Sequence, residues 1–542
     1  MKRILLAGAA ILLAAVPLLS WAQTSPLIID QNRTDRSEAQ QTAPQAAQTA
    51  PLPAAAAPVV VTPFVLRELR VEGTSIPPAT LTALAQPYIG TTVDAAAVNR
   101  IADSVASAYA EVDIALYSVS VPQQDFSTGT LRLVAAEGYV AQVDIHGDVE
   151  GDISLVRGYA DRMTTENPLT RTTLERYISL IRDIPGLEPD IQLYRTDTPG
   201  AVVLSIGLVQ RRVDFGLGFG NSGNSLLGRA QFQISLTLYR LFGQGSATSF
   251  SFSAPTELER FQHYSAAQSL SIGNNGTVAQ LSAGYLHTEP EGSPLSGEAK
   301  SAQLLFSHPL IRSYEDNLHL RASIDALNSS GAILGQTPAN ERVRALRAAA
   351  VYSRSRPETF LALNGIASLG LDALDAQIAN PALAVSDFFK LNASGTFERL
   401  IVENWILRLR ASGQYGAHRL PVSEFYVLGG NDFGRGYPAA SIFGDTGVAA
   451  TAEIIWRVPF LSGGTFAGTE LYGFVDGGRI WYRSRLGVPT QRFDLASAGG
   501  GTRITVSDRM VLQLEGAQAL DDVPGVARAG TWRLNISLRL TY

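Results

Sequence analysis

The 542-residue chain contains no cysteine. Disulfides, thiolate metal sites and a lipidated cysteine anchor are therefore excluded. Lysine is almost as scarce: Lys2, Lys300 and Lys390 are the only three of 43 basic residues that are not arginine. A net charge of −6 exerts no pull toward nucleic acid. Beyond the first two dozen residues there is no run of 18 or more apolar side chains, so no transmembrane helix is expected. The six histidines (His146, His263, His287, His308, His319, His418) are scattered without ligand spacing, and neither G-x-S-x-G nor H-E-x-x-H occurs. Residues 218–223 formally match G-x-G-x-x-G, but they lie between two strand patterns with no helix following. They are read as a hairpin turn rather than a dinucleotide site. No catalytic residue, metal or cofactor is expected, the chain is not read as an enzyme, and neither nucleic acid nor nucleotide is expected as a partner.

What is present begins with an export signal. Lys2 and Arg3 precede an apolar run over 4–19, and Ser20-Trp21-Ala22 is a small-x-small pattern, so residues 1–22 read as a secretory signal peptide. Residues 23–62 follow. Their second half is rich in Ala and Pro, cannot build a core, and reads as an extended linker. The polar stretch 28–41 before it is either disordered or a short helix in a polar environment that needs no apolar stripe.

Residues 63–136 and 137–210 look like two copies of one strand-helix-helix-strand-strand plan. In the first, 64–73 is a strand, Pro77 and Pro78 suit a helix start, and Val98, Ile101, Val105 and Tyr109 line one helical face. In the second, Leu174, Tyr177, Ile178 and Ile181 follow the same helical spacing. Each copy is large enough for one small α+β core.

From 211 to 542 helical spacing gives way to alternation. In the last stretch Trp532, Leu534, Ile536, Leu538, Leu540 and Tyr542 face one way, and Arg533, Asn535, Ser537, Arg539 and Thr541 face the other. Aromatics at both ends of an aliphatic face, opposite a face bearing two arginines, are the dyad pattern of a membrane β-barrel with lipid outside and water inside. A soluble sandwich is disfavoured because its strands are seldom this long. At about 10 residues per strand plus connectors, the zone predicts roughly sixteen antiparallel strands, closed because an open edge in lipid leaves backbone groups unsatisfied.

The tripeptide Arg-Gly-Tyr occurs twice. Arg157 falls on a predicted helix of the second small domain, where it reads as ordinary surface. Arg435 falls in a long connection, about 416–447, that carries Gly429, Gly430, Gly434, Gly436, Gly444 and Gly447. A connection of this length with organised glycine and aromatic content predicts a folded, functional loop.

Gly429-Gly430, Arg435-Gly436-Tyr437 and then Gly444-Asp445 resemble the sixth extracellular loop of the outer-membrane transporters of two-partner secretion. These are the haemolysin and haemagglutinin secretion-activation type, within the superfamily that includes the barrel-assembly factors. The residue before the Arg, usually Val, is Gly434 here. The resemblance covers nearly the whole mature chain and implies two POTRA domains followed by a sixteen-stranded barrel. It implies a strand motif in Phe474, Asp476 and Gly478, with Asp476 pairing with Arg435 inside the barrel. It further implies an outer-membrane location with POTRA domains in the periplasm, and a secreted partner protein that passes unfolded through the lumen. By the same resemblance, 28–41 becomes a candidate plug helix. A barrel-assembly or insertion factor is the alternative. Two POTRA copies rather than more favour the exporter; a passive porin would leave the small domains unexplained, and an adhesin-like barrel would leave the motifs unexplained.

Overall fold

The computed structural model describes residues 61–542 apart from 293–294, 334–335, 462–464 and 507–508. The signal peptide, the polar stretch 28–41 and all but the end of the linker lie outside the described residues.

The predicted first strand, 64–73, is two: Phe64–Val65 pairs with Thr92–Val93, and Glu68–Glu72 joins a separate three-stranded sheet. The break lies at Leu66 and Arg67, whose backbone groups bond instead to the turns at Gly90, Thr91 and Gly129. In that sheet Glu68–Glu72 runs parallel to Thr130–Glu137, which pairs antiparallel with Tyr117–Ser120. The helix Ala95–Ala108 is capped by Asp94, whose carboxylate accepts from Ala97 N–H at 2.8 Å, and buries Val98, Ile101 and Val105. The second domain repeats the plan. Tyr139–Asp148 runs parallel to Ala201–Gln210, which pairs antiparallel with Leu187–Arg195. Helices Ser154–Thr164 and Arg171–Arg182 close its core through Val156, Tyr159, Met163, Ile178 and Ile181. Tyr159 belongs to the first Arg-Gly-Tyr and is a core residue, while Arg157 is exposed on the helix surface.

The remaining chain forms a closed barrel of sixteen antiparallel strands. The first, Val213–Gly220, pairs with the last, Trp532–Thr541, over the five residue pairs from Ser537↔Gly220 to Thr541↔Gly216. Gly218 and Gly220 are therefore strand residues, and the turn expected at 218–223 lies at 221–230. Closure gives each of the sixteen strands a neighbour on both sides, as a hydrocarbon environment requires. Alternation sorts the faces. Trp532, Leu534 and Tyr542 are exposed and Asn535 is buried; Leu471 and Val475 are exposed and Tyr472, Phe474 and Asp476 are buried. Trp405 and Trp456 stack 6.1 Å apart at the rim nearer the small domains, as an interfacial aromatic girdle would.

The second small domain sits against three turns of that rim. Arg312 grips the Asp183 carboxylate with two bonds of 2.7 Å. Arg240 donates to the carbonyls of Glu150 and Asp152 at 2.9 and 2.8 Å, and Arg176 donates to those of Asn275 and Leu310. Each partly exposed pair contributes only about 0.2–1 kcal/mol, so one substitution is expected to leave the domain seated. The double variant Arg240→Ala/Arg312→Ala should broaden the distance distribution between spin labels on introduced cysteines, one on the domain and one on the barrel. A distribution as narrow as wild type would show that apolar packing alone holds the contact.

At the opposite end, the connection between Trp405–Gly416 and Thr446–Arg457 folds back into the barrel. It contains the 3-10 turn Val422–Glu424 and a small hairpin, Tyr426–Leu428 with Ile442–Gly444.

Candidate functional site

The tip of that loop carries Arg435, whose side chain is 2% exposed. The five strands that receive it run consecutively from Thr446–Arg457 to Trp532–Thr541. Their register sets the lumen face in rows. Thr451 lies opposite Asp476, and Asp476 opposite Ser497. In the next row Glu453, Phe474, Gly499 and Ala517 are neighbours, and in the next Tyr472, Gly501, Glu515 and Asn535. Glycine is required at 499 and 501 because a Cβ there would lie 2.1 Å from the Gly516 carbonyl oxygen and 2.3 Å from that of Leu514, and would also crowd the Phe474 ring at 2.9 Å and the Tyr472 hydroxyl at 2.8 Å. The two rings fill that space.

The guanidinium engages three carboxylates. Nη2 lies 2.7 Å from Glu453 Oε1, Nη1 2.9 Å from Glu515 Oε2, and Nε 3.2 Å from Asp476 Oδ2. Nη2 also donates to Thr451 Oγ1 at 2.9 Å, and the guanidinium carbon sits 3.8 Å from the centroid of the Phe474 ring. The ring face is electron-rich, so a cation stacked on it is stabilised. Asp476 accepts from the Gly434 N–H at 3.1 Å, the Arg435 N–H at 3.4 Å and the Ser497 hydroxyl. The Asn535 amide donates to the Arg435 carbonyl and to Glu515 Oε1, each at 3.1 Å. Arg503 and Arg408 bind the second oxygen of Glu453 at 3.1 and 3.2 Å and offset the excess of acid.

Arg435 and Asp476 are thus brought together, but not as a fork gripping one carboxylate. The fork nitrogens are used by Glu453 and Glu515, while Asp476 binds Nε and two backbone N–H groups and so fixes the main chain of the tip. The site is dry although it lies inside a barrel whose lumen is expected to be wet: Asp476, Glu453 and Glu515 side chains are at most 2% exposed. Glu453, Glu515, Thr451, Ser497 and Asn535 were not singled out from the sequence. A signal for the acids exists, since each occupies the polar parity of an alternating strand, as Thr451-x-Glu453 and Gln513-x-Glu515.

The remaining predicted residues shape the loop. Gly434 has φ +81°, a left-handed conformation in which a β-branched Val would be strained. A Cβ on Gly436 would lie 2.7 Å from the Ala519 nitrogen, so only glycine lets the tip approach the wall. Tyr437 is fully buried, and its hydroxyl lies 3.0 Å from the Ala496 carbonyl and 2.8 Å from that of Asp521. Gly429 and Gly430 bend the chain beside Pro438 and Ala439. Gly478 sits against Leu428, and Gly444 against Ile480 and Trp481. Asp445 does not join the tip. It binds Arg485 at 2.5 and 2.6 Å and accepts from the N–H groups of Leu420 and Arg483, tying the root of the loop to its neighbour.

Comparison with known proteins agrees with this architecture. Residues 202–504 match the family described as haemolysin secretion/activation protein ShlB/FhaC/HecB, and residues 64–138 match the POTRA domain, ShlB-type. The outer membrane transporter CdiB of Dickeya dadantii (strain 3937) is 23% identical over 483 residues, covering 83% of this chain and 81% of that protein. The structure of CdiB from Escherichia coli superposes with a TM-score of 0.71 at 16% identity, covering 96% of this chain and 99% of the other. That of CdiB from Acinetobacter baumannii gives 0.64 at 17%, covering 97% and 99%. The barrel lies in the outer membrane and the POTRA domains face the periplasm, as in this family of transporters. The chain belongs to the haemolysin secretion/activation protein family ShlB/FhaC/HecB, the outer-membrane transporters of two-partner secretion.

Proposed function

We propose that this chain recognises one unfolded partner protein in the periplasm through its POTRA domains and exports it through the barrel lumen to the cell surface. The observation that carries the reading is a continuous cavity of ≈ 800 Å³. It runs from Tyr159 and Asp183 of the second small domain, past the lumen wall, to Gly430 and Phe433 of the seated loop. The route thus starts where a periplasmic substrate would arrive and ends at the seated loop, which would have to withdraw for a chain to pass. The outer strands of both small sheets support recognition, because an extended chain can add to an open edge through main-chain bonds that tolerate varied sequence. Leu187–Arg195 contains Pro189, which lacks a donor, so Tyr139–Asp148 is the better edge of the second domain. No nucleotide drives the step in the periplasm; folding of the partner outside the cell would bias its direction.

The test places a photocrosslinker on a cysteine introduced at Asn364, which lines the cavity. Export is stalled by fusing the partner to a domain locked in its fold by a disulfide. A crosslink between position 364 and the stalled partner is expected. Crosslinks confined to the seam between Val213–Gly220 and Trp532–Thr541, to a barrel client instead of a secreted protein, would establish an insertion factor and overturn the exporter.

A further inference from the structure

The tip contact is not the loop's only buried charge contact. Glu424 ends the 3-10 turn Val422–Glu424, eleven residues before Arg435, and is 1% exposed. Its carboxylate lies 2.7 Å from Arg347 Nη2, 3.2 Å from Arg347 Nη1 and 2.5 Å from Lys390 Nζ. Arg347 is held in turn by Asp325 at 2.6 Å and by the Ser368 hydroxyl at 2.7 Å. The Gln414 amide donates to the Glu424 carbonyl at 2.8 Å. Residues 325, 347, 368, 390 and 414 come from five consecutive strands, each one directly opposite the next or two residues along the same face from it. They form the wall adjoining the one that receives Arg435.

The polarity of the two contacts is opposite. At the tip, a cation of the loop enters a wall of acids. At Glu424, an acid of the loop enters a wall whose two charged groups toward it are cations. Lys390 is one of only three lysines in the chain, and its ammonium is fully buried against this carboxylate. We propose that Glu424 is a second lock of the loop, and that Arg347 and Lys390 form a carboxylate-binding pocket on the lumen wall, filled by the loop at rest. Both cations also line the transport cavity. Once the loop withdraws, the pocket is presented to the passing chain as a site for Asp or Glu side chains, and that occupancy opposes return of the loop. Opposite polarities make the two locks non-interchangeable: a slipped loop would bring Arg435 to cations or Glu424 to acids, so the charges also fix its register. Glu424 acts here as a positioning residue. The inference rests on the exporter reading, but its test does not use the partner.

The reporter is Ser423→Cys, a near-isosteric change at a buried position in a chain without other cysteines. Purified full-length protein in detergent is treated with a bulky water-soluble maleimide, and heat-modifiable migration verifies the folded barrel. Wild-type Glu424 should give slow labelling. Glu424→Gln, which keeps shape and loses charge, should accelerate labelling at least about tenfold, because a buried ion pair losing one partner is strongly destabilised. Glu424→Asp, which keeps the charge facing Arg347 and Lys390, should label more slowly than Glu424→Gln. Unchanged labelling in Glu424→Gln, or equal labelling in Glu424→Gln and Glu424→Asp, overturns the lock. Accelerated labelling in Glu424→Gln that Glu424→Asp does not share, with no export of any partner in cells, would leave the lock standing and remove the exporter reading.

Discussion

Arg435→Ala is expected to reduce export of the partner to a small fraction of wild type while barrel assembly is largely retained. The substitution removes the one cation that engages Glu453, Glu515 and Asp476 together. Losing one partner of a buried ion pair costs about 3–5 kcal/mol, so the seated population of the loop should fall by about 100-fold or more. The sixteen strands keep their backbone ladder, which does not depend on the tip, and Arg503 and Arg408 still neutralise Glu453. Arg435→Lys should rescue poorly, because a point-charge ammonium cannot bind three carboxylates in three directions and stack on Phe474. The exchange of Arg435→Asp with Asp476→Arg should rescue poorly as well, since the loop would then bring an acid against Glu453 and Glu515. Arg157→Ala, on an exposed helix surface, serves as the control and should export normally. Export is measured per folded barrel in the membrane; wild-type export by Arg435→Ala would remove the tip from the mechanism.

Deleting residues 64–133 is expected to abolish export altogether with the barrel still inserted. The deleted segment holds almost all of one self-contained core, with Leu66, Ile101, Val105, Tyr109 and Leu131 fully buried among its own residues. The second small domain keeps its own core and its contacts with the barrel rim through Asp183, Glu150 and Asp152. The losses to it are local: the bonds of Arg171 to the Tyr109 carbonyl, of the Thr172 N–H to Asp113, of the Ala115 N–H to the Leu169 carbonyl and of the Gly138 N–H to the Leu116 carbonyl, and the packing of Leu116. What disappears is a sheet with two open edges, to which an extended partner segment is proposed to add. Insertion is read by heat-modifiable migration and export by partner in the medium. Normal export by the deletion variant would assign recognition to the second domain alone.

Much of this protein is legible in its sequence because the relevant physics is local. Period-two alternation from 211 onward decides which side chains meet lipid and which meet the lumen, since consecutive side chains of a strand point to opposite faces. Trp532 and Leu534 against Asn535, or Val475 against Asp476, follow from neighbours in the chain. So do the two small α+β plans, with helical spacing at Val98, Ile101 and Val105. The glycines around Arg435 announce a bent loop, and the resemblance of that loop and of Phe474-x-Asp476 names both members of one contact. The tertiary structure alone decides the rest. Arg435 and Glu515 are 80 positions apart, and Arg347 and Glu424 are 77. Which acids reach which cations depends on the register of five neighbouring strands and on how deeply the loop folds into the barrel, and no local pattern encodes either. Parity places Glu453 and Glu515 on the lumen face but not in the same small patch. It is that convergence, with water excluded by Phe474, Tyr472 and Tyr437, that turns an exposed, weak ion pair into a buried cluster able to hold the loop.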